Sequence, residues 1–321
     1  MQHSPGVFGV DVAKAEVVAA EVDVRTPRKT VCNERKALKA WLRTLPPGSI
    51  VAMESTGSHH RLLAELAHAA GMRVFVLNAR DVYFYARALG MRSKSDRVDA
   101  AVIARYAAEH RAKLHAWQPP APVYEHALQL LRRRARVIVA QERLHQSLAE
   151  VPTLQVAKRQ LDKAFARFLA KVDAQLDALV QGEPQFEQRV ARLRTIAGIG
   201  PQSSVMLGAL FAAHEFGNAE AVVAYSGMDP RAHDSGAKRG RRRLSKRGPG
   251  WLRRQLWLAA FGASHSKALG PLYRAIKAKG FEPTQALVIL ARKLLRVAWA
   301  MWNSGKPFEP TRVGQPAKQA P

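Results

Sequence analysis

Val7-Phe8-Gly9-Val10-Asp11 decides the fold of the N-terminal part, because it is a short apolar run that ends in a carboxylate. A second run of the same kind, Ile50-Val51-Ala52-Met53, ends at Glu54. Each run has the length of a buried strand. The Val-rich segment 15–24 predicts the second strand of a hairpin with the first run. An acidic side chain therefore stands at the end of each of two predicted buried strands.

Strands and helices alternate along the chain up to about residue 116. Helices are predicted over 36–45 and 62–70, and a third strand over 74–77. Strand, helix and strand in this order predict a mixed α/β sheet. Functional groups in such sheets collect at the carboxyl ends of the strands, which is where Asp11 and Glu54 stand.

The Pro-rich segment 117–122 is the first predicted linker. The residues after it are charged, Leu- and Ala-rich and helical in pattern. This part fits either a dimerising coiled coil or a helical hairpin packed on its own domain. The predicted domains are an α/β domain over 1–120, a helical spacer over 121–194, a mostly α-helical domain over 195–307 and a disordered tail over 308–321.

The chain of 321 residues carries 51 Lys and Arg against 25 Asp and Glu, a formal net charge of +26. This excess predicts a polyanionic partner, because cations that neutralise phosphates release condensed counterions. An apolar content of 47% excludes a wholly disordered polycation. No run approaches the roughly 20 apolar residues of a spanning helix, and no signal peptide precedes the first strand. Cys32 is the single cysteine, so the chain can form no intrachain disulfide. Charge, apolar content and cysteine usage together lead us to expect a cytoplasmic protein that acts on nucleic acid.

A second pair of carboxylates, Asp96 and Asp99, opens a predicted helix. A spacing of three puts both on one helix face. Acidic residues also favour the first turn of any helix, since they cap free N–H groups there. Joined with Asp11 and Glu54, however, the pair predicts a site for two ions about 4 Å apart. Ligands that are all oxygen favour Mg²⁺ or Mn²⁺ over zinc.

Two C-terminal segments predict contact with nucleic acid. Gly198-Ile199-Gly200 either binds a phosphate through main-chain N–H groups, as in a helix-hairpin-helix, or is a plain turn that needs positive φ. The basic run from Arg231 to Arg254 needs a polyanion, because its like charges repel one another. Phosphate hydrogen bonding is the expectation from chemistry alone for Ser235 and Ser245 in this run. The predicted nucleic-acid-binding residues are Lys94, Gly198, Gly200, Lys238, Arg239, Arg241, Arg242, Arg243, Ser245, Lys246, Arg247, Arg253 and Arg254.

An ordered set of motifs runs along nearly the whole chain. The motifs are Gly9-Val10-Asp11-Val12-Ala13-Lys14, Glu54-Ser55-Thr56-Gly57, Lys94-Ser95-Asp96-Arg97-Val98-Asp99-Ala100, Ile196-Ala197-Gly198-Ile199-Gly200, Tyr225-Ser226-Gly227-Met228-Asp229-Pro230, Ser235-Gly236, and Ser245-Lys246-Arg247-Gly248 before Leu252-Arg253-Arg254. Together they resemble one family, the DEDD insertion-sequence transposases, which are bridge-RNA-guided recombinases. One departure is His59, which stands where an aromatic residue, often Tyr, commonly follows the Glu-x-Thr-Gly motif.

The resemblance implies a RuvC-like N-terminal domain of the ribonuclease-H type. Its catalytic, metal-binding quartet would be Asp11, Glu54, Asp96 and Asp99, with Mg²⁺ or Mn²⁺ as the cofactor. It also implies a C-terminal transposase domain in which Ser235 is the nucleophile and forms a serine–phosphate intermediate. Ser245 then belongs to a following element that contacts nucleic acid.

The partners that the resemblance implies are donor and target double-stranded DNA, a structured bridge RNA and further copies of the chain, from dimer to tetramer. A prokaryotic, nucleoid-associated protein without membrane contact is expected. Two alternatives stay open. One is a RuvC-like structure-specific DNA endonuclease that uses water as its nucleophile. The other is a non-catalytic RNA-binding protein whose acidic residues are structural.

Overall fold

A computed structural model gives the structure, and it describes residues 5–22, 29–55, 59–91, 96–231 and 242–314. Contacts divide the chain into two compact units, 1–119 and 120–321. The division falls between two prolines of the Pro-rich segment. Each unit is described by itself below.

A five-stranded sheet in the order β3-β2-β1-β4-β5 forms the centre of the first unit. β1 pairs antiparallel with β2 and parallel with β4, and β4 pairs parallel with β5, so the predicted mixed α/β sheet is confirmed. The structure adds β3, whose four residues include only one buried side chain and give too little pattern for prediction. The strands are β1 (Val7–Val12), β2 (Glu16–Glu21), β3 (Lys29–Cys32), β4 (Ile50–Glu54) and β5 (Arg73–Leu77).

Helices cover both faces of this sheet. On one face, Leu38 and Leu63 pack in a single cluster with the strands, and on the other face Val82 and Ile103 do the same. These clusters bury apolar side chains that would otherwise face water, which stabilises the layered arrangement. The helices of the first unit are α1 (Arg35–Leu42), α2 (His60–Ala69), α3 (Ala79–Ala88) and α4 (Asp96–His110).

Helix α4 crosses β1 in direct backbone contact, which only glycine permits. A Cβ atom at Gly9 would overlap the main chain of Ala100 and Ala104. Val18, the register partner of Asp11, belongs to the same buried cluster as Ala100. The first turn of α4 therefore lies at the end of the sheet where β1 ends.

The second unit is mostly helical, as predicted. A two-stranded ribbon joins its middle helices. The helices are α5 (Pro122–Ser147), α6 (Gln155–Gln181), α7 (Pro184–Arg194), α8 (Pro201–Ala213), α9 (Ala219–Ser226), α10 (Gly250–Ser264), α11 (Gly270–Ala278) and α12 (Pro283–Ser304), and the ribbon strands are β6 (Pro230–Arg231) and β7 (Arg243–Leu244).

Helices α5 and α6 form an antiparallel hairpin within the chain. Arg134 on α5 donates two hydrogen bonds, at 2.8 and 3.0 Å, to the carboxylate of Asp173 on α6. Leu128 and Val172 share one buried cluster with Leu207 and Leu290, so the predicted spacer and the C-terminal helices have a common core. The sequence predicts a spacer and a C-terminal domain as separate parts. The structure has one shared core instead, because the apolar faces of α5 and α6 are buried against it.

The end of the chain also differs from the predicted disordered tail. Phe308 packs on the core of the second unit, and Val313 is buried within it. Phe308 precedes a 3₁₀ turn over Pro310–Gly314, and Val313 lies within that turn. Both side chains attach this segment to the core. Residues 315–321 of the predicted tail lie outside the described residues. In the part of the chain that the structure describes, no helix is long and apolar enough to cross a membrane.

Candidate active site

The carboxyl ends of β1 and β4 lie side by side. Val10 pairs with Met53 in the parallel register, and the next residues along the two strands are Asp11 and Glu54. Both acidic side chains are partly buried, as is that of Asp99 in the first turn of α4. Two predicted carboxylates are thus adjacent at one edge of the sheet, and the helix that carries Asp99 begins at the same end.

The donor chemistry of this edge fits a divalent cation. Asp11, Glu54 and Asp99 offer only carboxylate oxygens, which Mg²⁺ and Mn²⁺ prefer. The side chain of Asp96 lies outside what the structure describes. Among the side chains that are described, no three His, Cys, Asp or Glu are grouped closely enough to hold a metal ion. Metal binding by the quartet therefore stays a prediction.

The side chain of Asn33 links two main-chain segments near this edge. Its Nδ2 donates to the carbonyl oxygen of Ala13 at 2.8 Å and to that of His59 at 3.4 Å. Ala13 follows β1, and His59 precedes α2, so one amide links the segments that leave β1 and enter α2. The side chain of His59 itself is exposed. Asn33 does not emerge from the sequence reasoning, and its signal is an Asn directly after a short strand.

A short ribbon closes the loop that is predicted to carry the nucleophile. Pro230 pairs with Leu244, and Arg231 pairs with Arg243, so 232–242 connects the two strands. Ser235 lies in this loop but outside the described residues. The predicted nucleic-acid-binding residues Lys94, Lys238, Arg239 and Arg241 also lie outside them.

Ser245, the first residue after the ribbon, points inward. The residue is 4% exposed, and its hydroxyl donates a hydrogen bond to the Asp229 carboxylate. The main chain repeats this link, since the Ser245 N–H donates to the Asp229 carbonyl at 2.9 Å and the Lys246 N–H to that of Gly227 at 3.0 Å. Nucleic-acid contact by Ser245 stays a prediction, and its hydroxyl already has a protein partner. Asp229 stands within one of the sequence motifs, and its residue type and position alone predict no role for it.

The basic residues around the ribbon differ in their exposure. Arg253 donates to the main-chain carbonyls of Ser226 and Gly248, and burial lowers the pKa of its guanidinium. Arg254 pairs with Glu142. These two cations have contacts inside the protein. Arg242, Arg243, Lys246 and Arg247 are exposed, and their contact with nucleic acid stays a prediction.

The two glycines of the predicted phosphate-binding turn differ from each other. Gly198 has φ +89°, and a Cβ atom there would overlap the carbonyl oxygen of Ala259 on α10 and lie 2.6 Å from the Ala263 side chain. Gly200 has φ −82° and is the N-cap of α8, with no neighbour within 4 Å of its position for a Cβ. Tight packing and positive φ therefore account for Gly198 as a turn residue. Phosphate binding by this turn stays a prediction.

Two family models match the chain on either side of α6. One, for the DEDD type of IS110 protein and described as "Transposase", matches residues 8–156, which include the strand-end carboxylates. The other, described as "Transposase IS116/IS110/IS902 family", matches residues 190–274, which include the segment 232–242 with Ser235. Together the matches span most of the chain. The chain belongs to the IS110 family of transposases.

Relatives with similarity along nearly their whole length agree with this membership. The IS110-type transposase is 27% identical over 315 residues to the pilin gene-inverting protein of Moraxella bovis, covering 94% of this chain and 97% of the relative. It is 27% identical to the pilin gene-inverting protein of Moraxella lacunata, with the same coverage. It is 26% identical to a probable family 20 transposase of Pseudomonas aeruginosa, covering 94% and 98%. The protein is therefore an enzyme, a DNA transposase and recombinase.

Proposed function

We propose that this transposase cuts and rejoins DNA strands as a Mg²⁺-dependent serine recombinase that a bridge RNA guides. The observation that carries the proposal is the placement of Asp11 and Glu54 on adjacent strand ends, beside the helix that brings Asp99. The same arrangement supports a RuvC-like fold for the first unit. Inversion of a DNA segment, which the name of the Moraxella relatives describes, requires strands to be rejoined as well as cut.

In this proposal the acidic quartet, Asp11, Glu54, Asp96 and Asp99, holds the cation. When bound, the ion supplies positive charge that polarises the scissile phosphate. Ser235 Oγ attacks the phosphorus, so a serine–phosphate bond forms and the bond to the 3′ oxygen breaks. The serine proton passes to solvent, and the 3′ oxygen leaves as a hydroxyl. Attack of another strand's 3′ hydroxyl on the phosphoserine restores a phosphodiester and releases Ser235.

Electrostatics supports nucleic-acid partners beyond the reacting strand. The net charge is +26, and the exposed cations on the C-terminal side of Ser235 include Arg242, Lys246 and Arg247. Such side chains bind phosphates without reading bases, so sequence specificity would come from pairing with the guide RNA. Exposed Leu161 and Phe168 on the α5–α6 hairpin support an oligomer, a dimer or tetramer, in which the serine reaches the quartet of another copy.

The decisive experiment compares Ser235→Ala with Asp11→Ala on supercoiled donor and target plasmids. We expect both variants to lose recombination. We also expect acid-quenched wild-type reactions to contain a covalent protein–DNA adduct that Ser235→Ala lacks. An adduct at Ser245 would show that the wrong serine is assigned. Full recombination by Ser235→Ala would favour the endonuclease that uses water, and wild-type behaviour of both variants would favour a binding protein.

A further inference from the structure

Helix α3 presents aromatic and basic side chains to solvent along one face. Arg80, Tyr83, Phe84 and Arg87 follow the spacing i, i+3, i+4, i+7, which in most helices marks the buried face. Here the face is open, because Tyr83 is 52% exposed and Phe84 is 48% exposed. We refer to these four residues as the α3 ridge.

The cations of the ridge lie against its rings. The Arg80 guanidinium is 5.5 Å from the centre of the Phe84 ring, and that of Arg87 is 5.9 Å from the centre of the Tyr83 ring. Arg87 also donates to the Tyr83 hydroxyl at 3.2 Å. The two rings meet edge to face, with centres 5.5 Å apart. The ridge therefore places two positive charges and two aromatic rings in contact on one exposed helix face.

Folding does not require the two rings. The opposite face of α3 supplies its packing, since Val82 is buried in the core and Tyr85 packs against that core. Cation–π pairs at exposed sites contribute little to stability. Large apolar side chains that remain together in water commonly mark a surface for a partner.

The position of α3 relates the ridge to the acidic edge. β5 runs parallel to β4 and ends at Leu77, whose carbonyl accepts a hydrogen bond of 2.9 Å from the N–H of Ser55, the residue after Glu54. Helix α3 begins two residues after Leu77. A DNA strand held at the acidic edge would therefore lie close to the start of the ridge.

We propose that the α3 ridge binds unpaired DNA, with Tyr83 and Phe84 stacking on exposed bases and Arg80 and Arg87 facing the neighbouring phosphates. Aromatic stacking needs bases whose faces are open, and duplex DNA hides those faces. The positive charge of the two guanidinium groups fits a polyanion, and the two exposed rings fit the faces of its bases. The choice of DNA and the site of action rest on the proposed function, but the chemistry of the ridge does not.

Binding of short oligonucleotides without Mg²⁺ tests this proposal. Full-length protein would be titrated into a labelled 12-nucleotide DNA strand, the same sequence as a duplex, and an abasic strand of equal length, with fluorescence anisotropy as the readout. An RNA strand of the same sequence would be titrated in parallel. Tyr83→Ala and Phe84→Ala should each weaken binding of the single strand about tenfold. Binding of the duplex and of the abasic strand should change less than about twofold, since neither offers free base faces.

Two further variants are controls: one removes an exposed ring elsewhere, and the other keeps a stacking surface in the ridge. Thermal unfolding checks that the fold is retained. Phe281→Ala removes another exposed ring, 42% accessible and in the second unit, and should leave all three affinities unchanged. Tyr83→Trp keeps a stacking surface and should bind the single strand like the wild type. Thermal unfolding of each variant should match the wild type, because the removed rings lie outside the core.

Three results would overturn the proposal: no loss with the single strand, equal losses with all three DNAs, or a loss that is confined to an RNA strand of the same sequence. The first would show that the ridge does not bind this ligand, the second that it binds phosphates only, and the third that it serves RNA. Adduct formation at Ser235 is measured separately, so failure of the serine mechanism would not be mistaken for failure of the ridge.

Discussion

The hydroxyl of Ser245 donates a hydrogen bond to the carboxylate of Asp229, and this partly buried contact lies beside the ribbon from which the segment with Ser235 departs. The ribbon above it has only two residue pairs, and so short a ribbon is marginal on its own. The contact therefore helps to fix where the loop leaves the helical core. It gives Ser245 a structural role that its position in a basic run does not suggest.

Ser245→Ala should lower the free energy of unfolding by about 1–3 kcal/mol, because it removes the hydrogen bond that the buried Ser245 hydroxyl donates to the Asp229 carboxylate. Urea unfolding followed by circular dichroism measures this loss. Adduct formation at Ser235 should slow but persist, whereas Ser235→Ala should abolish it. Ser204→Ala is a matched control, since Ser204 is also buried and its hydroxyl donates to the Pro201 carbonyl of its own helix, so we expect a smaller loss. A stability unchanged by Ser245→Ala would contradict the structural role.

Asn33→Ala should reduce recombination with little loss of stability. The change removes the amide that links the Ala13 and His59 carbonyls beside the acidic edge, but it leaves the sheet intact. We expect a higher Mg²⁺ concentration for half-maximal activity, because the carboxylates would be less well placed. Asn33→Asp is the matched variant, as it keeps the size but loses the donor. Normal Mg²⁺ dependence in both variants would exclude a positioning role.

Asp11→Asn should remove stabilisation by metal as well as activity. A cation bound only by the folded protein raises the melting temperature, and the effect grows with its concentration. Wild-type protein should therefore melt at a higher temperature in Mg²⁺ than in EDTA, while Asp11→Asn should show a smaller difference. Glu16→Gln, at an exposed acidic residue on β2, is the control and should respond like the wild type. An equal response of all three proteins would contradict metal binding at this edge.

Gly198→Ala and Gly200→Ala should differ in their effect on stability. Gly198→Ala meets the backbone of α10 and a φ of +89°, so it should destabilise the second unit by at least about 1–2 kcal/mol. Gly200→Ala meets no neighbour at φ −82° and should leave the melting temperature unchanged. Thermal unfolding measures both. Equal destabilisation by the two substitutions would contradict the geometry of this turn.

Tyr85 should ionise well above the ordinary pH range of a tyrosine. Burial, together with its 2.6 Å hydrogen bond to Glu109, raises the pKa of Tyr85 to about 12. A folded-state pKa above the ordinary value of about 10 favours the neutral form, so this contribution to stability is complete below pH 10 and disappears as the pH rises towards 12. A titration by absorbance should show a late step that Tyr85→Phe removes and Tyr83→Phe retains. A curve without that step would contradict the prediction.

The sequence by itself determines the two buried strands β1 and β4 and predicts the chemistry of their ends. The apolar runs that end at Asp11 and Glu54 predict buried strands with carboxylates at their ends, and the structure has β1 and β4 there. Local pattern suffices in these places because burial of a whole strand demands an uninterrupted apolar run. The charge of +26 likewise predicts a polyanionic partner without any knowledge of the fold.

Tertiary structure alone decides which distant residues meet. Turns bring Asp229 to Ser245 and bring together the two carbonyls that Asn33 joins. No local sequence pattern predicts these contacts. The open side of the α3 ridge is a further example, since its spacing matches that of a buried helix face. Residue type and spacing determine what a side chain can do, but contacts between separate segments determine whether a hydroxyl is turned inward or a ring remains in water.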